Sequence, residues 1–207
     1  MSESARPPSR ESPAGRSRGG SPLPRGARLC LDYLPAGDAP RLRDLLDGGP
    51  WRDDLKRRVQ HYGWRYDYRA RKITHALRLG PLPAWLAPLA DAIGDRPEFE
   101  RVPDQVIVNE YCPGQGISAH VDCEPCFGPA IASLSLGGAV EMVFRHRESG
   151  ESASVFLPPL SLLVLTGEAR YDWTHEIPAR RSDTIDGMRL PRTRRVSLTF
   201  RTVIREP

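Results

Sequence analysis

Apolar positions along the chain fall into two textures. Near the start they recur at helical spacing: "PRLRDLLDGGPW" sets Leu42, Leu45 and Leu46 on one face and stops at Gly-Gly-Pro, and "LPAWLAPLADAIGD" repeats the logic with Leu82, Trp85, Leu86, Leu89 and Ile93 before Gly94. Two short helices are predicted. From residue 104 the pattern changes to short runs of Val, Ile, Leu and Phe broken by Pro and Gly: "DQVIVNEY", "AIASLSLGG", "AVEMVFRH", "ASVFLPP", "LSLLVLTGEARY" and "RRVSLTFRTVI". These are strand signals at the spacing of a barrel or double-sheet β fold. The fold class is α+β, with the helices first in the chain and packed outside the sheets.

Composition sharpens the boundaries. Residues 1–27 are rich in Ser, Pro, Gly and Arg and too poor in apolar groups to offset the entropy of ordering, so they read as a disordered basic tail ahead of one domain, 28–207. That tail carries Arg6, Arg10, Arg16, Arg18 and Arg25 against Glu3 and Glu11, which accounts for most of the formal +4 charge. The folded part is therefore almost neutral, and any argument for nucleic acid rests on local clusters. One such cluster holds Arg180, Arg181, Arg189, Arg192, Arg194 and Arg195 with only Asp183 and Asp186 to balance it. No apolar run approaches the ~20 residues that cross a bilayer, and the N-terminus lacks the apolar core of a secretory signal. A cytoplasmic monomer with no membrane association is expected.

Chemistry concentrates in "NEYCPGQGISAHVDCEPC". In an extended chain, side chains two apart face the same way, so His120 and Asp122 reach a common point. A third ligand, His175, follows the apolar run "LSLLVLTG" in "YDWTHEI". Two imidazoles and one carboxylate make the facial triad that leaves room on Fe(II) for a co-substrate and oxygen. In "RRVSLTFR" Arg195, Ser197, Thr199 and Arg201 share one strand face, and Val196, Leu198 and Phe200 the other. Arginines facing a barrel interior are costly unless a carboxylate meets them. A dicarboxylate such as 2-oxoglutarate would be that partner, with Asn109 and Tyr111, two apart on another strand, adding polar bonds. The plainer alternative is an edge strand whose arginines lie in solvent.

Together "NEYCPGQGISAHVD", "SLSLG", "LLVLTGEARYDWTH" and "RRVSLTFR" resemble the AlkB-type Fe(II)/2-oxoglutarate dioxygenases over roughly residues 28–205, with the tokens "PGQGI" and "TGEARYDWTH" similar to the tRNA-modifying branch. The resemblance implies a double-stranded β-helix (jelly-roll) core. It also implies Fe(II) held by His120, Asp122 and His175, and 2-oxoglutarate held by Asn109, Tyr111, Arg195 and Arg201, with oxygen as the second co-substrate. The implied activity is hydroxylation or oxidative demethylation of a modified base, in alkylated DNA or RNA or in tRNA. Rival readings are a protein hydroxylase or demethylase on the same fold, and an RNA-binding module that has lost catalysis.

Two other features need weighing. Cys123 and Cys126 form a C-x-x-C with Cys112 nearby, a competing zinc reading that lacks the second cysteine pair a zinc site needs; free thiols are expected. His61, His75 and His146 read as surface or hydrogen-bonded histidines. In "QHYGWRYDYRARK" aromatics alternate from Tyr62 through Trp64, Tyr66 and Tyr68, interleaved with Arg65, Arg69 and Arg71. Packing over the barrel is the ordinary reading of such a strand. A lid that stacks an unpaired base, with Trp64 and Tyr66 as stackers and Arg180 and Arg181 as phosphate contacts, is the functional one.

Overall fold

The computed structural model describes residues 22–53, 55–185 and 187–204; the expected tail lies outside them for residues 1–21. In chain order the elements are β1 (Ala27–Cys30), α1 (Ala39–Asp47), β2 (Val59–Tyr62), α2 (Ala87–Gly94), β3 (Gln105–Tyr111), β4 (Ile117–His120) and β5 (Phe127–Gly137). They continue with β6 (Val140–His146), β7 (Ser152–Leu157), β8 (Leu162–Leu165), α3 (Gly167–Tyr171), β9 (Trp173–Ile177), β10 (Ser182–Ile185), β11 (Met188–Pro191) and β12 (Arg195–Val203). The folded part begins upstream of residue 28: Ala27 already pairs with Leu165, and Leu23 packs against the inner core.

Two antiparallel sheets face each other. The larger runs β1-β8-β5-β12-β3-β2, the smaller β4-β9-β6-β7, and β10-β11 forms a separate hairpin. This is the jelly-roll core expected, a β fold that closes two sheets around an interior.

Burial on both faces of the large sheet explains why its strands read as continuous apolar runs. In β8, Leu162 and Val164 join the outer core while Leu163 and Leu165 join the inner one. The outer core packs Val196, Leu198 and Phe200 of β12 and Val106 and Val108 of β3 against Leu42 and Leu46 of α1 and Ala90 and Ile93 of α2. Each helix has proline at its first or second position, where a missing N–H costs nothing. The inner core sets Leu163 and Leu165 against Met142, Phe144, Trp173 and Ile177 of the small sheet.

One cluster ties the outer layer together. Glu110, on the outer face of β3, accepts two hydrogen bonds from Arg58 at 2.7 and 2.8 Å and one from Arg194 at 2.7 Å. Arg194 also pairs with Asp47 at the end of α1. The hydrogen bonds from Arg58, then those from Arg194, hold the Glu110 carboxyl below its ordinary pKa in spite of burial.

The aromatic segment departs from the expected single strand. β2 ends at Tyr62, and the chain turns at Gly63, whose φ of +74° and close approach to the Asp104 carbonyl exclude a side chain. The flap that follows closes on itself through the bridges Trp64↔Arg78 and Asp67↔Lys72. The turn separates the aromatics: Tyr62 packs edge-on against Trp85 in the outer layer, while Trp64 is buried with Phe127 and Val203. His61 is also buried, its ring against Tyr68.

Candidate active site

The site lies between the sheets. β12 alternates as its sequence requires: with Val196, Leu198 and Phe200 spent on the outer core, Arg195, Ser197, Thr199 and Arg201 point into a cavity also lined by Asn109, Tyr111, His120, Asp122 and His175. Register completes the convergence. Arg195 lies opposite Tyr111 and Ser197 opposite Asn109 across β12 and β3, and His120 lies opposite His175 across β4 and β9.

The two glycines ahead of β4 have separate tasks. Gly114 makes the turn at φ +94°, and Gly116 lets the loop run so close to β9 that a Cβ would fall 2.1 Å from the Ile177 carbonyl. Both help bring His120 alongside His175.

The imidazoles of His120 and His175 stand 4.4 Å apart between ring centroids, and His175 Nε2 is 4.0 Å from Asp122 Oδ2. His120 is oriented by its Nδ1, 2.8 Å from the Ser118 carbonyl. Burial, then the neighbouring His120, pushes His175 down to about 3, so its ring is neutral at physiological pH. Burial alone would raise the Asp122 carboxyl, but Arg201, the two histidines and Arg170 outweigh it and hold it well below the usual carboxylate range. Asp122 Oδ1 accepts from Arg201 Nη2 at 2.8 Å. As the side chains lie, no trio of such donors among the described residues stands in coordinating geometry. In chemistry the set still suits Fe(II): two imidazoles, that of His175 neutral, and an ionised carboxylate lining one cavity.

The second half of the site is an unpaired cation. Arg195 is 2% exposed; its Nη2 donates to Ser135 Oγ at 2.9 Å, but Nε and Nη1 have no partner. Burial lowers its pKa to about 10, far enough above neutrality that it stays charged. A buried guanidinium with two unsatisfied nitrogens is the arrangement that a ligand carboxylate completes, so the cavity fits a 2-oxo diacid. Tyr111 lies under this guanidinium at 5.5 Å.

Of the other expected residues, Arg201 divides its donors between Gln105 and Asp122. Asn109 Oδ1 accepts from Arg57 Nε at 2.8 Å. Trp64 is 6% exposed in a small core cluster, whereas Tyr66 and Tyr68, edge to face at 5.1 Å, lie where both phenols feel Asp122 and Arg201. Burial pushes Tyr68 up to about 12. Arg180 is engaged with Asp183 and Glu141 at the base of the β10-β11 hairpin, and Arg181 beside it is exposed.

Three features escape the sequence reading. Arg170 is 2% exposed on α3, and its Nη1 and Nη2 donate to the carbonyls of Asp122 and Cys123 at 3.0 and 3.4 Å, fixing the backbone beside the ligand carboxylate. Nothing in "GEARY" marks that arginine as buried. Arg57, which holds Asn109, comes from an irregular segment with no periodic signal. Cys123 and Cys126, expected as free thiols, are joined in a disulfide, because the turn Cys123–Phe127 brings their Cα atoms to 5.2 Å.

A jelly roll whose interior carries this donor set and an unpaired buried arginine defines an oxygenase class, and sequence comparison agrees. A family model of the 2OG-Fe(II) oxygenase superfamily matches residues 48–201, and the chain belongs to that superfamily. The Alkylated DNA repair protein ALKBH8 homolog of Arabidopsis thaliana is 36% identical, with 88% of this chain aligned to 59% of the plant protein. The tRNA (carboxymethyluridine(34)-5-O)-methyltransferase ALKBH8 of Mus musculus is 34% identical, with 89% of this chain aligned to 31% of the mouse protein. The chain thus spans under two thirds of either relative. Among solved structures, that of OsALKBH1 superposes with a TM-score of 0.63 at 21% identity, covering 86% of this chain and 96% of that one. Within its superfamily the protein is an AlkB-type dioxygenase.

Proposed function

We propose that this oxygenase hydroxylates or oxidatively demethylates a modified base in nucleic acid, presented unpaired or flipped. His120, Asp122 and His175 would hold the iron, and Arg195, with Tyr111 and Asn109, the 2-oxoglutarate. The observation that carries the reading is Arg195: a buried guanidinium with two free nitrogens inside the cavity that also holds the three metal-type donors. Fe(II), 2-oxoglutarate and oxygen together supply C–H hydroxylation coupled to decarboxylation of the co-substrate to succinate.

The chain's own residues do the positioning. Arg195 would hold a carboxylate of the diacid, Ser135 and Tyr111 fix that guanidinium, and Arg201 keeps Asp122 ionised through their 2.8 Å bond. The nucleic-acid substrate is supported by the flap, which places Tyr66 and Tyr68 beside the site, and by what the named relatives act on. A base inside a duplex cannot reach such a cavity, so stacking on a half-buried flap aromatic after unpairing is the expected mode.

The test is incubation with iron, 2-oxoglutarate and a panel of methylated oligonucleotides and tRNA, read by mass spectrometry. A hydroxylated or demethylated base formed with matching succinate is the expected result. Products on peptides alone would overturn the substrate; no succinate under any condition would overturn the enzyme.

A further inference from the structure

We propose that Cys123 and Cys126 form a redox-active site, a thiol–disulfide pair through which dithiol reductants act on the chain beside its ligand carboxylate. The C-x-x-C begins one residue after Asp122, and its two cysteines are bonded to each other. Their position makes the pair a hinge pin between two parts of the site. On one side, Arg170 holds the carbonyls of both Asp122 and Cys123, so the disulfide closes a turn whose first residue is fixed by the same buried cation that fixes the carboxylate's backbone. On the other side, both sulfurs rest on the flap, with Cys123 Sγ 3.3 Å and Cys126 Sγ 3.6 Å from the Arg71 carbonyl oxygen. Trp64 of the flap packs on the same pair.

Both cysteines are largely buried, at 8% and 6% exposure, but each lines a cavity that opens to solvent. Cys123 lines an open cavity with Arg71 and Arg147, and Cys126 lines another with Lys72 and His75. A reductant thiolate attacks one sulfur, breaking the S–S bond and forming a mixed disulfide. The second thiol of the reductant then displaces it. Two electrons and two protons pass to the protein, leaving Cys123 and Cys126 as thiols and the reductant as its own disulfide. Each thiol then carries a weak S–H donor, and the Arg71 carbonyl oxygen stands ready to accept it, so the dithiol form is accommodated without expelling the flap. Covalent closure of the turn constrains it more than those weak donors can. Reduction therefore loosens residues 121–127 and, through the Arg71 and Trp64 contacts, the flap at 63–78. The site is independent of which substrate the cavity takes.

The experiment uses the full chain without added metal, oxidised and then treated with dithiothreitol. Alkylation after unfolding, read by intact mass, should label two of the four cysteines before reduction and all four after it. Hydrogen exchange should then be at least threefold faster across 63–78 and 121–127 in the reduced protein and unchanged in β6 and β7. The Cys123→Ser/Cys126→Ser double variant should exchange at the reduced rate with or without dithiothreitol, and Cys112→Ser should respond like the wild type. Four labelled cysteines before reduction, or equal exchange of both segments in the two wild-type states, would overturn the proposal.

Discussion

Arg195 is the residue on which the co-substrate reading turns, because it is charged, buried and two hydrogen bonds short. Arg195→Ala is expected to weaken 2-oxoglutarate binding by about 1.5–3 kcal/mol, the worth of a hydrogen bond to a charged group, while leaving metal content intact. Lysine should restore only part of this, since an ammonium cannot reproduce the planar fork. Titration calorimetry with the metal-loaded variants measures both, and unchanged affinity in Arg195→Ala would contradict the assignment. His120→Ala, Asp122→Ala and His175→Ala should each lose bound iron and succinate formation, with Cys112→Ser retaining both; elemental analysis beside turnover checks this. Period-two spacing paired Asn109 with Tyr111, His120 with Asp122 and Arg195 with Arg201, and His175 was marked by its place after an apolar run, but the sequence could not say that Arg201 faces Asp122, because that bond joins strand β12 to the turn after β4.

At the level of elements, two charge clusters staple parts that the cores alone do not fix. Glu110→Ala removes three hydrogen bonds to arginines, yet Arg58 and Arg194 are partly exposed and can rehydrate, so about 1.5–3 kcal/mol of stability is expected to be lost. Denaturant melts with unchanged slope would show it. In the β10-β11 hairpin, burial raises the Asp183 carboxyl but hydrogen bonds from Arg192 and Arg180 win and lower it. Its folded pKa lies below the unfolded value near 3.8, so the unfolded chain binds more protons as acid is added. The stability Asp183 contributes is whole at neutral pH and is lost as pH falls below about 4. Asp183→Asn should therefore lower the melting temperature at pH 7 and flatten its decline in acid; a parallel decline in both proteins would refute this. The flap shows the limit of pattern reading: alternating aromatics predicted one strand face, but Gly63 turned the chain. Trp64→Ala is accordingly expected to cost about 3–5 kcal/mol of stability as a core truncation, and Tyr66→Ala to weaken single-stranded oligonucleotide binding by about 1–3 kcal/mol.

Over the whole molecule, the near-neutral charge of the folded part leaves phosphate attraction to a few exposed arginines. Arg180 is held by Glu141 and Asp183, whereas Arg181 is exposed beside the turn at Gly114. Arg181→Ala should thus reduce the salt slope of oligonucleotide binding by about one, measured by fluorescence anisotropy at several salt concentrations, and Arg180→Ala should act mainly through loss of hairpin stability. No helix among the described residues is long and apolar enough to cross a membrane. By itself the sequence determined the elements with strong local signals: two helices ended by glycine, the second beginning only at Ala87 so that Leu82, Trp85 and Leu86 of its pattern precede it, the long strands of the large sheet, and the faces on which Asn109, Tyr111, His120, Asp122, Arg195 and Arg201 would lie. Those follow from backbone period and local sterics, which neighbouring residues fix. Only the tertiary structure decided what has no local signature. The pairing of β4 with β9 set His120 beside His175, the closing of α3 onto the ligand loop buried Arg170, the turn after Asp122 joined Cys123 to Cys126, and the folding back of the flap sent Trp64 to the core and Tyr66 to the site. Each of these is a contact between segments far apart in the chain or a turn set by packing, and the energy that selects it comes from burial and charge pairing in the assembled fold.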